Sequence, residues 1–282
     1  MIYISTGCSK FKNIDENLRE LISWGYENIE LTGGFNREDI KNFDFNIYSN
    51  LNLQCHNYFP PPSKHFVLNL SGRDEVYKNS LGLIREALAF SKKHNSCRYG
   101  IHAGFRVDPK VSELGQKFKS IGLISLDEAE SRMINSLQLL NKESEGIKLY
   151  VENNVYSAAN FQSYGGENPF LLCQFSDYER LSKEVDLNVL LDIGHLKVSC
   201  TTLGLDFDKE LAKFLEVTDY IHVSDNDGTA DQNLALSRDS MTFDILKKYK
   251  SNFKDKTYTV EVYNGEDAVR ETVLSIEALR SN

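Results

Sequence analysis

Asp192 and His195 stand three residues apart, just beyond the apolar run Val189-Leu190-Leu191, in the stretch VLLDIGHLKVSC. A carboxylate and an imidazole delivered to one point suit metal binding or acid–base chemistry. An Asp in that place equally suits the cap of a following helix, with His195 an incidental helix residue. The rest of the chain bears on the choice, because residues of this kind recur. Glu30, His56, His102, Glu152, His222 and Glu261 each end, or directly follow, a short strand-like run. Four of the six histidines (His56, His102, His195 and His222) fall in such places, whereas His65 and His94 do not. One such histidine is more often a satisfied polar group than a ligand. Four of them, interleaved with four carboxylates, point to a metal site.

The donor types narrow the metal. Carboxylate oxygens and neutral imidazole nitrogens suit one divalent ion of Mn, Co, Zn or Mg, and no thiolates accompany them as a structural zinc site would require. An ion with open positions holds a substrate by neighbouring oxygens, and two carboxylates flanking a sugar pass a proton in and out at carbon.

These residues share a site only if the fold gathers the strand ends. Strands are predicted at Ile2 to Ser5, Asn28 to Leu31, Leu51 to Cys55, Arg98 to Ile101, Lys148 to Val151 and Val189 to Leu191. A seventh begins at Tyr220-Ile221 and an eighth covers Tyr258 to Val260. Helical periodicity marks 13–24, 38–42, 75–93, 127–140, 177–184, 240–249 and 267–279. Gly194 is expected to turn the backbone after Asp192, and 156–169 to form a long loop over the same end. The segment HNYFPPP from His56 holds three of the five prolines, which fixes an extended loop. Eight strands alternating with helices over 282 residues predict an α/β fold, a single (β/α)8 TIM barrel spanning residues 1–282. The competing doubly wound sheet would show a G-x-G-x-x-G first turn, which the sequence lacks. In the barrel, the C-terminal ends of all strands converge on one active site.

Composition limits the partners. A formal net charge of -9 argues against nucleic acid, whose binders need a basic stripe to displace counterions. Five cysteines, odd in number and without a C-x-x-C, suit reduced thiols and a cytoplasmic protein. MIYISTGCSK lacks the basic and apolar regions of a signal peptide, and no run is long enough to span a membrane. The expected partner is a small-molecule sugar, and the sequence leaves a homo-oligomer open.

The motifs IELTGG, CHNYFPPP, IHAGF, YVENN, LLDIGH, YIHVSD and VEVY together resemble the xylose isomerase-like TIM-barrel superfamily over nearly the whole chain. That superfamily holds sugar isomerases and epimerases as well as the endonuclease IV type of repair enzyme. The epimerase branch implies a metal held by Glu152, Asp192, His222 and Glu261. It also implies Glu152 and Glu261 as the acid–base pair, with His195 touching the substrate. The endonuclease branch implies a second metal at His56, His102 and Glu152. Its third metal would need a histidine where Asp231-Gln232-Asn233 has Asn233, a poor ligand for a transition metal. The implied activity is a divalent-metal-dependent sugar or sugar-phosphate isomerase or epimerase. A metal-dependent phosphoesterase and a sugar-acid or inosose dehydratase are the alternatives. The stretch HNYFPPPSKHFVLNLSG also resembles barrels of bacterial surface-polysaccharide and unusual-sugar pathways.

His56, His102, Glu30 and Asn153 are the expected substrate contacts. Asn154 offers sugar hydroxyls a partner or merely turns the chain. Asp225 and Asp227 are either supports for His222 or turn residues. Lys197 is either a counter-ion for an anionic substrate or a solvated helix lysine. Tyr58, Phe59 and Phe105 suit stacking on a sugar or loop packing.

Overall fold

The computed structural model describes residues 1–281. Eight strands form one closed, all-parallel barrel in sequence order: β1 (Ile2–Ser5), β2 (Asn28–Leu31), β3 (Asn52–His56), β4 (Arg98–His102), β5 (Lys148–Glu152), β6 (Asn188–Asp192), β7 (Tyr220–Val223) and β8 (Thr257–Val260). The seam closes by pairing Ile2 with Tyr258 and Ile4 with Val260. Around them run α1 (Ile14–Ser23), α2 (Arg37–Asn42), α3 (Asp74–Lys93), α4 (Leu126–Glu143), α5 (Ala158–Ser163), α6 (Phe175–Leu181), α7 (Ile193–Leu203), α8 (Phe207–Val217), α9 (Met241–Lys247) and α10 (Gly265–Arg280). The predicted barrel is the observed one.

Strand periodicity sorts the chemistry. Alternate residues such as Ile29, Leu53, Ile101, Val151, Leu191, Ile221 and Val260 face outward into the apolar layer under the helices. Each such fully buried aliphatic contributes about 1.5–3 kcal/mol. The other parity fills the barrel, and its filling is unusually polar. Gln54 Nε2 donates to Glu30 Oε2 (3.0 Å), to the Tyr220 hydroxyl (2.7 Å) and to Thr259 Oγ1 (3.2 Å). Glu30, His56, His102, Glu152, Asp192 and His222 share this inward parity. The strands reach further than the apolar runs, so His56, His102, Glu152 and Asp192 are the last strand residues rather than the first loop residues.

Three helices correct the sequence reading. α5 lies inside the expected 156–169 loop. α7 starts directly after Asp192, so Gly194 is a helical residue, not a turn. A Cβ there would meet Ser224 Oγ at 2.7 Å, and glycine is needed for that close packing. Almost every residue of α7 up to Cys200 is buried, so it has no polar face and no helical period to read. α8, in contrast, shows Leu211, Phe214 and Leu215 at helical spacing, a signal present in the sequence. Among the described residues no helix is long and apolar enough to cross a membrane.

Candidate metal centre and active site

Glu152, at the end of β5 and fully buried, is the hub. Its Oε2 lies 2.8 Å from His56 Nε2 and 3.2 Å from His102 Nε2. Its Oε1 lies 3.3 Å from His222 Nδ1 and 3.7 Å from His195 Nδ1. Glu261, one residue past β8, brings Oε2 to 3.0 Å from the same His222 Nδ1. Glu152, Asp192, His222 and Glu261 each offer a ligand atom, all within 4.8 Å of one another, and so do His56, His102 and Glu152. Asp192 is also the N-cap of α7, its Oδ1 accepting from the His195 N–H at 2.7 Å. Asp192 thus caps α7 and at the same time stands within reach of the cluster, and His195 is in contact with Glu152 and Asp231.

Two atoms test whether a cation fits. Glu152 Oε1 and His222 Nδ1 are buried and make no well-directed hydrogen bond, although they lie 3.3 Å apart and Glu261 Oε2 lies 3.0 Å from Nδ1. Buried polar atoms left so are costly unless something else satisfies them. Both atoms point into the group that Asp192 and Glu261 complete. Three carboxylates with one imidazole match a hard or borderline divalent ion.

The titration behaviour says the same. Burial, together with repulsion from Glu152 and Asp231, pushes the Asp192 carboxyl up to about 7, although His195 opposes this. Burial also works against charge on Glu152, but His102, His56 and His222 outweigh it and hold that carboxyl well below its usual range. Burial lowers His102 to about 4. His222, despite burial, is held well above the usual imidazole range by Glu30 and Glu152. Carboxylates crowded beyond what the imidazoles neutralise leave the centre short of positive charge. An incoming ion must displace the His222 proton, so apparent Mn2+ affinity falls as the pH drops from about 8 to about 6. Calorimetric titration in buffers of different ionisation enthalpy measures both that affinity and the protons released.

The remaining expected contacts divide. His102, its side chain 32% exposed, opens onto a cavity of about 400 Å3 that His195 and Asp231 also line. His56 is buried beneath His102 with its ring centroid 5.4 Å away. It fits because β4 has Gly100 there; a Cβ would lie 2.8 Å from His56 Cδ2. Glu30 does not reach a substrate position. It is fully buried, accepts from Gln54 and from Thr259 Oγ1 (3.0 Å), and places Oε1 3.0 Å from His222 Nε2. A carboxylate there fixes the proton on Nε2 and leaves Nδ1 for a metal. Glu30→Gln is expected to weaken metal affinity about 10- to 100-fold, read by competition with a chelating dye.

Asn153 likewise turns away from the cavity. Its Nδ2 donates to the Asp192 carbonyl (3.1 Å) and its Oδ1 accepts from the Asp192 N–H (2.7 Å), which splices β5 to the end of β6. Its own carbonyl accepts from His195 Nδ1 at 2.8 Å, so that ring presents Nε2 outward. Asn154 Nδ2 donates to the carbonyls of Ala103, Gly104 and Leu171. Neither Asp225 nor Asp227 supports His222. Asp225 Oδ1 accepts from Lys197 Nζ (2.8 Å) and Thr242 Oγ1 (2.7 Å), and Asp227 closes its own turn onto Thr229. Lys197 is therefore neither solvated nor facing substrate. Phe59 is fully buried in the outer core, while Tyr58 and Phe105 line the cavity.

Two residues gain importance only in three dimensions. Asp231 places Oδ2 3.4 Å from His195 Nε2 and also accepts from Asn233 Nδ2. Asn69 lies within HNYFPPPSKHFVLNLSG and organises the loop after β4. Its Nδ2 donates to the carbonyls of Phe105 and Val107 and to Asp108, and its Oδ1 accepts from the N–H groups of Ser71 and Phe105. Asn69 thus gives that stretch a structural duty, while Asn57, Tyr58 and Leu68 of the same stretch line the cavity.

No family model matches the chain. It is 27% identical over 187 residues, 64% of its length, to an uncharacterized protein of Methanocaldococcus jannaschii, of whose length it spans 61%. Among solved structures it is similar to a D-tagatose 3-epimerase-like protein, at TM-score 0.72 and 18% identity over 99% of this chain and 97% of the other. It is also similar to endonuclease IV from Thermus thermophilus, at TM-score 0.59 and 15% identity over 99% and 98% of the two chains. The fold is a TIM barrel like those of these structures. At such identities the likeness concerns the fold, and the chemistry rests on this chain's own residues.

Proposed function

We propose that this chain is a divalent-metal-dependent sugar isomerase or epimerase that moves a proton at carbon, acting in the cytoplasm. The observation carrying this reading is the convergence of Glu152, Asp192, His222 and Glu261, each offering a ligand atom within 4.8 Å of the others. That an epimerase-like protein is among the similar barrels supports it. Glu152, Asp192, His222 and Glu261 would hold the ion. When bound, it polarises a substrate carbonyl and acidifies the adjoining C–H. Glu152 takes or returns the proton from one side and Glu261 from the other. His222 beside Glu261, and His56 and His222 beside Glu152, keep both carboxylates ionised. His195 Nε2, steadied by Asp231, meets a substrate hydroxyl, and neutral His102 offers a second hydrogen bond. Free thiols at all five cysteines agree with a reducing compartment.

The test is solvent-deuterium incorporation into a broad panel of ketoses and aldoses by the Mn-, Co- or Zn-loaded protein. Absence of exchange in every sugar overturns the reading. The His56–His102–Glu152 group favours a second reading, metal-dependent phosphoester hydrolysis. Against it stand Asn233 and a cavity whose lining includes one lysine, Lys117, and no arginine. Nicking of abasic DNA in saturating Zn2+ would move the assignment to that reading.

A further inference from the structure

We propose that the substrate of this site carries an apolar substituent at the end remote from its reacting carbon: an O-alkyl or O-aryl sugar, not a free monosaccharide or a sugar phosphate. This rests on the sugar reading above. The cavity of about 400 Å3 is two-faced. His102 and His195, both in contact with Glu152, line it together with Asp231 and with Asn57, whose Oδ1 is buried and unpartnered. Leu68, Phe105, Leu114, Phe118 and Phe170 supply an apolar wall. Phe105, Phe118 and Phe170 pack on one another with ring centroids 4.9–5.6 Å apart. They belong to an apolar cluster separate from the barrel core, built from the loops after β3, β4 and β5.

Asn154 and Asn160, the asparagines of the lining beside that wall, are committed to backbone groups. Asn160 Oδ1 accepts from the Phe118 N–H at 2.8 Å and its Nδ2 donates to the Gln116 carbonyl at 3.3 Å, while Asn154 is committed to three carbonyls. A hydroxyl placed against the three phenylalanines would leave water and find no partner, which is unfavourable. A phosphate there would meet Lys117 alone, and that residue is exposed at the rim. An alkyl or aryl group instead buries its surface without loss, and the hydroxyls stay at the polar end.

The experiment is equilibrium calorimetry on the metal-loaded protein with D-ketohexoses and their 6-O-benzyl ethers, compared pair by pair, together with D-fructose 6-phosphate. The best ether is expected to bind about 10- to 100-fold tighter than its parent. That advantage should shrink toward unity in Leu114→Asn, a change at a wall residue already 37% exposed and therefore compatible with folding. Equal affinities within every pair, binding by neither member of any pair, or tighter binding of the phosphate would each overturn the proposal. An ether that binds tightly, loses its advantage in Leu114→Asn and yet shows no deuterium exchange upholds the apolar subsite while removing the proton-transfer reading.

Discussion

Glu152→Gln is expected to purify folded but without its metal, and to show deuterium exchange at background, a loss of at least about 1,000-fold. The size of the effect follows from position. Glu152 belongs both to the group with Asp192, His222 and Glu261 and to the group with His56 and His102. An amide of the same shape is a weak neutral ligand, and its NH2 faces imidazole nitrogens that need an acceptor. The stability cost stays below the roughly 3–5 kcal/mol of a broken buried ion pair, because His56 and His222 can shed their protons once the counter-charge is gone. Metal content per chain on protein purified without chelator, beside a thermal melt, separates the two effects. Full metal occupancy in the variant would sink the proposed centre. One equivalent in the wild type, lost in the variant, fits the isomerase-type site, whereas two or more, with zinc dominant, favour phosphoester hydrolysis.

Glu261→Gln is expected to divide differently. Glu261 stands at the open side of the cluster, its side chain 17% exposed where that of Glu152 is fully buried. Glu152, Asp192 and His222 remain to hold the ion, so metal is weakened but kept at saturating concentration. The proton carrier on that side is gone, and the exchange rate should fall about 100- to 10,000-fold with substrate affinity little changed. Single-turnover deuterium incorporation at saturating metal and sugar measures this. An unchanged rate would remove Glu261 from the acid–base pair.

The sequence by itself determined the barrel and which carboxylates and histidines stand at its strand ends. Both have a local cause. A strand buried on both sides must be apolar outward, so a carboxylate or histidine at its C-terminal end stands out against Val, Ile and Leu. In a closed parallel barrel every such end meets the others, so strand-end position alone places Glu152, Asp192 and His222 together. Glu261 follows as the residue next after β8.

Only the tertiary structure decided what each remaining polar group does. Asn153 and Glu30 look like substrate contacts by position, yet one is tied to the Asp192 backbone and the other stands beneath His222. Their partners lie 39 and 192 residues away, and short-range patterns carry no trace of such pairings. The cavity wall is of the same kind. Phe118 is seated by Asn160, and Phe105 by Asn69, through hydrogen bonds between separate loops. Loop conformation is set by such long-range bonds rather than by periodicity, so the strand-end cluster could be read along the chain. The shape and apolar character of the substrate end could not, because they come into being only when those loops close over the barrel.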